Sequence, residues 1–405
     1  MAAMEKNNKT INVPHLRFPE FSGEWKKCTI GDFGNVITGN TPPTAEDKNY
    51  DNGTHLWASP ADLGTTKYIE STQTLLSDRG FEKSRSFPAN SILVTCIGST
   101  IGKMGMSKTE MASNQQINTI VPVQHDANFV YYAVQSRFPR YLSSIAVQAV
   151  PILSKSSFEK LTNYTTARKE QIKIGNLLSL IDERIDTQKK IIEDLKKLKD
   201  AINNSLHNNI NEFQLFSFNE MGNDYSGLTG KSSGDFGSGL PYISYLNVFR
   251  NDIVTDGPFD CVKVSKTEKQ NIVNYGDLLF TLSSETPSEV GIGAIYLGKT
   301  NPLYLNSFCF GVHLSNQENI YGPYLAYFVT SQYFRRTILP FAQGSTRYNL
   351  MKSDFMKHKF CFPNMASQKA IYNALHTLSE KIQNEEVCLN KYAEQKQYLL
   401  TRLFI

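Results

Sequence analysis

The chain has 405 residues, of which 40% are apolar, so it can fill the hydrophobic cores of two or three domains. Its net charge of +4 does not come from the regions with globular patterning, because residues 20–166 hold 13 basic and 13 acidic side chains and residues 210–364 hold 12 and 13. This balance excludes a uniformly basic surface, so any binding to nucleic acid needs local clusters of suitable side chains.

The beginning of the chain is polar where a signal peptide needs an apolar segment, and no later stretch reaches the roughly 18 consecutive apolar residues of a membrane span. Its 6 cysteines are scattered without a CxxC pair, which favours free thiols over zinc ligands or disulfides. We therefore predict a cytoplasmic protein with no membrane partner.

The first globular module is predicted over residues 20–166. Short apolar runs bounded by turn residues at 91–97 and 118–123 predict buried strands. Aromatic and aliphatic residues at helical spacing over 129–141 predict a helix, and Phe158 leads into a last strand. The module therefore has mixed α/β character.

A long amphipathic helix is predicted over residues 167–209. Its apolar residues recur at alternating spacings of four and three, which is the seam of a coiled coil and requires a partner helix. The seam residues expected to contact that partner are Ile181, Ile185, Gln188, Ile192, Leu195, Lys199 and Ile202. Gln188 and Lys199 are the polar interruptions of the seam.

The second half of the chain repeats this pattern. A module is predicted over residues 210–364, with strands at 277–282 and 308–314 and a helix at 324–338. A second long helix is predicted over residues 365–405. Its expected seam residues are Leu378, Ile382, Glu385, Leu389, Tyr392, Lys396 and Leu399, with polar interruptions at the same two places.

Matching segments also recur outside the helices, which indicates an internal duplication. Tyr132–Ser136 corresponds to Tyr327–Ser331, and Thr38-Gly39-Asn40 corresponds to Thr229-Gly230-Lys231. We therefore predict an α+β protein with two similar mixed α/β modules in tandem, each followed by a long α-helix. The two helices can supply each other's partner within one chain.

The polar seam residues suggest how the helices pair. In an antiparallel coiled coil, one register places Gln188 beside Lys396 and Lys199 beside Glu385 at the same time. Polar residues in a seam commonly fix the register at some cost in stability. We therefore predict an antiparallel pair in this register.

No catalytic motif is complete. Gly230-Lys231-Ser232 resembles the end of a phosphate loop, but neither the upstream glycine nor the preceding strand is present. Glu24-Trp25-Lys26 has the spacing of nuclease carboxylates without a partner aspartate, and Asn40-Thr41-Pro42-Pro43 is not the Asn-Pro-Pro-aromatic motif of amino-methyltransferases. The 7 histidines lack metal-ligand spacing. These observations indicate a binding protein.

Loops of the second module carry the side chains best suited to binding. Gln343–Asn349 combines a glycine, hydroxyls, an amide, a cation and an aromatic ring, which can contact base edges and phosphates. A polar surface turn is the alternative interpretation. The equivalent loop, Val147–Pro151, has lost nearly all these groups, so the two modules are expected to read different things.

We select as candidate DNA-binding residues Thr38, Asn40, Ser99, Thr100, Lys103, Gln148, Lys155, Lys231, Ser232, Arg335, Arg336, Gln343, Ser345, Arg347, Tyr348, Asn349 and Lys352.

Several segments in this order, together with the duplication of the modules, resemble the specificity subunits of type I restriction-modification systems. They are Leu16–Phe21, Trp25, Ile30-Gly31-Asp32, Thr38–Pro42, Leu153–Leu161 and Gln171–Ile192. The resemblance covers nearly the whole chain. It implies a conserved N-terminal segment at residues 1–19 and a target recognition domain in each module.

The resemblance also implies a protein without catalytic activity of its own. Each domain would read one half of a split, asymmetric target in double-stranded DNA, and the paired helices would set the unread gap. The helices would dock two modification subunits, which use S-adenosylmethionine, and through them two restriction subunits, which use ATP and Mg²⁺. No cofactor is expected on this chain.

Two alternatives remain open from the residues themselves. The near-neutral modules also suit a non-catalytic coiled-coil scaffold that binds proteins or glycans. A fused nuclease or methyltransferase with diverged motifs is the other.

Overall fold

The computed structural model describes residues 12–144, 152–208, 213–265, 267–316 and 318–405. The chain forms two compact units, which we call unit 1 (Met1–Lys190 with Glu386–Ile405) and unit 2 (Ile191–Glu385). Each unit therefore combines one globular module with part of each long helix, whereas the sequence suggested consecutive domains.

Unit 1 is built around a five-stranded sheet of order β2-β10-β7-β8-β4, which is antiparallel except at the β4–β8 edge. A four-stranded sheet, β5-β3-β9-β6, and the pair β1-β11 accompany it. The strands are β1 (Lys26–Thr29), β2 (Gly34–Thr38), β3 (His55–Ala58), β4 (Tyr68–Ile69), β5 (Thr74–Leu76), β6 (Ser86–Phe87), β7 (Ile92–Thr95), β8 (Met104–Ser107), β9 (Met111–Ser113), β10 (Ile117–Pro122) and β11 (Thr162–Thr165). The helices are α1 (Asp78–Glu82), α2 (Ala127–Ser144), α3 (Lys155–Glu159) and the first part of α4 (Arg168–Asn208).

Unit 2 has the corresponding five-stranded sheet, β13-β21-β17-β19-β15, together with the sheets β16-β14-β20 and β18-β23-β22 and the pair β12-β24. The strands are β12 (Phe213–Phe216), β13 (Gly222–Ser226), β14 (Phe236–Ile243), β15 (Ile253–Val254), β16 (Asp260–Val262), β17 (Leu278–Thr281), β18 (Ser283–Ser284), β19 (Gly293–Tyr296), β20 (Tyr304–Leu305), β21 (Cys309–Leu314), β22 (Ala342–Gln343), β23 (Tyr348–Leu350) and β24 (Phe360–Pro363). The helices are α5 (Phe218–Met221), α6 (Tyr245–Arg250), α7 (Leu325–Phe328), α8 (Gln332–Ile338), α9 (Lys352–Lys357) and α10 (Met365–Arg402), whose last turns belong to unit 1.

The two central sheets share one topology. In each, the strand order is the same and only the last edge pair, β4–β8 or β15–β19, is parallel. The pair β3–β9 of unit 1 and the corresponding pair β14–β20 of unit 2 are also parallel. Because the predicted buried strands fall on equivalent positions of both sheets, the predicted duplication and the α+β class are confirmed.

A glycine after the first sheet strand shows where the two copies align. A Cβ on Gly39 would lie 2.2 Å from the carbonyl oxygen of Ser113, and one on Gly227 would lie 2.0 Å from that of Asn306. Both backbones approach another loop too closely for a side chain. The structural partner of Gly39 is therefore Gly227, and the predicted match to Gly230 is wrong by three residues. Asn40 and Lys231 are consequently not equivalent.

The helix predicted over 324–338 is broken in two, where unit 1 has the continuous helix α2. The hydroxyl of the fully buried Ser331 donates to the carbonyl of Phe328 at 2.7 Å and accepts from the amide of Phe334 at 3.2 Å. Ser331 thereby ends α7 and caps α8. Its counterpart in α2, Ser136, bonds only one turn back, to the carbonyl of Ala133.

The two long helices run antiparallel where they pair in unit 1. Asp182 on α4 forms an ion pair with Lys396 on α10 at 2.6 Å. Further along α4, Arg184 donates a 3.1 Å hydrogen bond to the hydroxyl of Tyr392, which lies earlier on α10. These contacts confirm the antiparallel direction. The predicted register is wrong, because both pairs lie about one heptad, roughly 10 Å, from the alignment that places Gln188 beside Lys396.

The lysines of the seam reach the globular modules. Lys396 lies over the ring of Tyr132, with its Nζ 5.7 Å from the ring centroid. In unit 2, Lys199 forms a 2.6 Å ion pair with Asp252 and lies 5.9 Å from the ring of Tyr327. Tyr132 and Tyr327 are equivalent residues of the two copies. The matched lysines thus hold each module against a helix from the other copy.

Helix residues complete the core of each unit. In unit 1, Ile174 and Leu178 of α4 pack in the core with Leu403 and Phe404 from the end of the chain. In unit 2, Ile371 and Leu375 of α10 occupy the core, and Ile202 of α4 packs against it. All fourteen predicted seam residues are buried or half-buried.

A buried histidine on α4 should make the stability of unit 2 depend on pH. His207 is 3% exposed and stacks on Tyr324, with ring centroids 5.4 Å apart. Its Nδ1–H donates to the carbonyl of Asn203, and burial lowers the pKa of the imidazole. The unfolded chain takes up this proton below about pH 6.5 while the folded chain resists it, so acid favours unfolding.

We expect the free energy of unfolding to fall by up to about 1.4 kcal/mol for each pH unit below 6.5 because of His207. Urea unfolding followed by circular dichroism at pH 7.5 and 5.5 measures the change, and His207→Phe should remove that part of it. Equal losses in the variant and the parent chain would contradict the assignment.

Candidate nucleic-acid interface

A hairpin in unit 2 presents five of the seventeen candidate binding residues. Strands β22 and β23 form it, and β23 also pairs with β18. At its turn, a Cβ on Gly344 would lie 2.0 Å from the carbonyl oxygen of Arg347, so the tight turn requires glycine there. The hairpin exposes Gln343, Ser345, Arg347 and Asn349, and Tyr348 is half-buried. The structure therefore brings five candidates together on one hairpin.

A cleft of about 730 Å³ lies beside this hairpin. Arg347 lines it, with its guanidinium carbon 4.8 Å from the ring centroid of Phe308. Phe308 is 49% exposed, which is unusual for a phenyl ring on a folded domain. The lining residues are Tyr245, Leu246, Phe249, Ser283, Ser284, Glu285, Glu289, Phe308, Thr346 and Arg347.

Arg335, by contrast, serves the fold. Its guanidinium donates to the carbonyls of Ser288 and Val290, at 2.7 and 2.8 Å, and so holds the turn that precedes β19. Burial lowers the pKa of Arg335 to about 10. The adjacent Arg336 is exposed on α8 and is the better placed of the two for a phosphate.

Three other candidates of unit 2 have partners within the unit. Lys231 bonds to the carbonyl of Lys263 at 2.6 Å and pairs with Glu268. Ser232 caps a short 3₁₀ turn through a 2.8 Å hydrogen bond to Asp235. Because these contacts join loops of the same unit, both residues stabilise loops. Lys352 is likewise engaged, in a 2.6 Å ion pair with Asp224.

In unit 1, two candidates have structural partners, one between neighbouring strands and one between loops. The hydroxyl of Thr38 donates to Asn118 at 2.7 Å. The side chain of Asn40 donates to the carbonyl of Lys83 and accepts from the amide of Arg85, at 2.9 and 2.7 Å. Because the amide nitrogen and the amide oxygen of Asn40 are both hydrogen-bonded within the unit, the side chain has little hydrogen-bonding capacity left for a base edge.

The other unit 1 candidates lie on loops or on a short helix. Ser99 and Lys103 are exposed and Thr100 is half-buried, on a turn that follows the isolated bridge between Ile97 and Ile152. Lys155 begins α3 and lies 3.7 Å from Glu159. Gln148 lies outside the described residues.

The bridge between Ile97 and Ile152 corresponds to the pairing of β18 with β23 in unit 2. Ser99 therefore lies where unit 2 has Glu285, a lining residue of the cleft, while the loop at 147–151 that is equivalent to the hairpin lies outside the described residues. The two units therefore offer candidate contacts at equivalent places.

Phe308, Glu285 and the rings on α6 were not found from the sequence. Phe308 immediately precedes β21, so in the sequence it looks like one more apolar residue of a buried strand. Its exposure becomes visible only when the hairpin and α6 lie beside it. The aromatic pair Tyr245 and Phe249, four residues apart, was the one available signal.

Within the described residues, no group of histidine, cysteine, aspartate and glutamate side chains is placed to hold a metal ion. Over the same residues, none of the helices combines the length and the apolar character needed to cross a bilayer.

The family model of the type I restriction modification DNA specificity domain matches this chain twice, at residues 22–197 and 202–394. The chain therefore belongs to the family of type I restriction-modification DNA specificity proteins.

Two curated relatives come from Methanocaldococcus jannaschii. The type I restriction enzyme MjaVIII specificity subunit is 22% identical over 413 residues, which cover 94% of this chain and 90% of the relative. The MjaIX specificity subunit is 29% identical over 182 residues, which cover 43% of this chain and 42% of that protein. The first similarity thus extends across both modules, and the second is confined to less than half of either chain.

The fold also has a solved counterpart. The crystal structure of the type I restriction-modification system S subunit from M. genitalium superposes with a TM-score of 0.59 at 18% identity, over 97% of this chain and 99% of that chain. The order of two mixed α/β modules and two long helices is thus a fold found in this family.

Proposed function

We propose that this chain is the DNA-recognition subunit of a type I restriction-modification complex and has no catalytic activity of its own. The observation that carries the proposal is the double match of the specificity-domain model, once over each structurally equivalent half of the chain. Each half exposes a different set of side chains at the equivalent surface, as expected of modules that read different sequences.

We propose residues 20–166 and 210–364 as the two target recognition domains, after a conserved segment at residues 1–19. Each domain reads one half of a bipartite, asymmetric site in double-stranded DNA. The base contacts come from the hairpin of unit 2 and from the turn at Ser99 in unit 1. Exposed cations such as Arg336 and Lys103 bind phosphates. The near-neutral charge of both modules implies that partner subunits supply much of the grip on the DNA backbone.

The helical segments, residues 167–209 and 365–405, serve as the spacer between the half-sites and as the platform for two modification subunits. Those subunits bind S-adenosylmethionine and methylate adenine. They also dock two restriction subunits, which use ATP and Mg²⁺. The assembly acts in the cytoplasm, where the DNA lies.

Sequencing of methylated bases in cells that express the chain with its modification partner tests this function. We expect one split motif in the parent strain. Replacing residues 20–166 by the corresponding module of a relative should change one half-site alone. One heptad inserted after Lys190 and another after Glu385 should lengthen the gap by about three base pairs, because a heptad of helix spans about 10 Å.

Two results would argue against the function. Absence of chain-dependent methylation, with no gel shift of DNA by the complex at any salt concentration, would favour a scaffold that binds proteins or glycans. Methylation or cleavage by the purified chain alone would indicate a hidden enzyme. A motif that keeps its gap after the double insertion would refute the spacer.

A further inference from the structure

The cleft beside the hairpin of unit 2 has a feature that the proposed function leaves unexplained. An exposed arginine lies over an exposed phenyl ring, at the turn of the hairpin that carries the candidate base contacts. The following inference rests on the proposed function and deepens it, because it concerns which base this surface reads.

Arg347 is free to bind a ligand. Among the described residues, no hydrogen bond or ion pair engages its guanidinium, in contrast to Arg335 and Lys352 in the same unit. A guanidinium stacked on an aromatic face is held in a plane while the N–H groups along its edge remain available. Such pre-orientation reduces the entropy lost on binding.

The shape and charge of the cleft favour a base edge over a phosphate. Its walls are apolar and aromatic at Phe308, Leu246 and Phe249, which suits the face or methyl group of a base. Glu285, exposed, and Glu289, whose carboxylate accepts from Ser284 at 2.6 Å, line the same cleft. Two carboxylates repel a phosphate, whereas a base edge carries no net charge.

We propose that Arg347, held by Phe308, reads a guanine in the half-site of the second module. Two parallel N–H donors match the O6 and N7 acceptors that guanine alone presents as a pair in the major groove. The ring platform makes this reading specific for arginine, since lysine offers a point charge and no planar fork.

Unit 1 cannot read its half-site in the same way. The residue that precedes β10, as Phe308 precedes β21, is Gln116. Its amide oxygen accepts a 3.0 Å hydrogen bond from Asn114. With an amide in place of the phenyl ring, the first module lacks this platform, so the reading by Arg347 belongs to the second half-site alone.

The test compares the methylation motifs of Arg347→Ala, Arg347→Lys and Phe308→Leu, each expressed as the full chain with its modification partner. We expect both arginine variants to lose discrimination at one guanine of the second half-site by about tenfold or more. Phe308→Leu should weaken the same position by a smaller factor. The first half-site and the gap should stay as in the parent, which also shows that the variants fold.

Arg336→Ala is the matched control, because it removes an exposed arginine of the same unit that is not a lining residue of the cleft. It should lower methylation at all sites alike and leave the motif intact. The inference is overturned if Arg347→Lys behaves as the parent, which indicates a phosphate contact. An unchanged motif in Arg347→Ala, or relaxation at the same base in Arg336→Ala, also overturns it. Failure of the parent complex to yield any split motif would instead refute the proposed function.

Discussion

Arg17→Met should lower the free energy of unfolding of unit 1 by about 3–5 kcal/mol. The guanidinium of Arg17 bonds to both carboxylate oxygens of Glu170, each at 2.8 Å, and Glu170 is 1% exposed. The guanidinium of Arg17 also donates to the carbonyl of Ser22 at 3.1 Å. Removing the cation leaves a buried charge at the start of α4 with its main partner gone. The N-terminal motif thus has a structural role, because Arg17 ties the segment before β1 to the first long helix.

Urea unfolding followed by tryptophan fluorescence measures this loss, because both tryptophans, Trp25 and Trp57, belong to unit 1. The matched control is Lys173→Met, because Lys173 lies on the same helix as Glu170 and forms an exposed ion pair with Glu20. Its loss should lower the free energy of unfolding by less than about 1 kcal/mol. Adding Glu170→Gln to Arg17→Met should restore part of the stability, because the buried charge is then gone. Equal effects of the Arg17 and Lys173 variants would show that the pair contributes no more than an exposed contact.

Phe404→Ala should destabilise unit 1 to a similar extent, by about 3–5 kcal/mol. Phe404 is 6% exposed, and its ring centroid lies 5.5 Å from that of Phe129 and 6.0 Å from that of Trp25. The truncation leaves a cavity among side chains held by a sheet and two helices, which cannot collapse to fill it.

Tyr398→Ala serves as the comparison, since Tyr398 is an aromatic residue near the same end of α10 but is 58% exposed. Its cost should stay within about 0.5 kcal/mol. The same fluorescence-detected unfolding compares the two variants. If the urea concentration at the midpoint of unfolding is the same for Phe404→Ala and the parent chain, Phe404 does not stabilise the core of unit 1 as its burial indicates.

Much of the fold could be predicted because it depends on local patterns. The strands β7, β10, β17 and β21 are short apolar runs between turn residues, and the helices α4 and α10 carry long seams. Duplication then supplied the topology, since a pattern that occurs twice is unlikely to arise by chance. The break at Ser331 could not be predicted, because serine is compatible both with a helix interior, as at Ser136, and with a cap.

The register of the helices and most of the candidate site depend on contacts between distant parts of the chain. Lys396 was matched to Gln188 of the other seam, whereas its partner is Asp182, which lies just beside that seam. Lys231 and Arg335 looked free in the sequence, yet their partners are more than thirty residues away. The polar and basic residues of the loop Gln343–Asn349 made it a candidate site, but composition could not separate side chains that build loops from Arg347, which remains available.

The interleaving of the two units has a consequence for synthesis of the protein. Unit 2 is one continuous segment, from Ile191 to Glu385, whereas unit 1 needs Glu386–Ile405 to complete its core. On the ribosome, the first module emerges long before Leu403 and Phe404 are made, so its core stays open until those residues are synthesised. The inner segment can fold first, against the usual N-terminal-first order. Leu403 and Phe404 thus complete a core whose other members are synthesised far earlier.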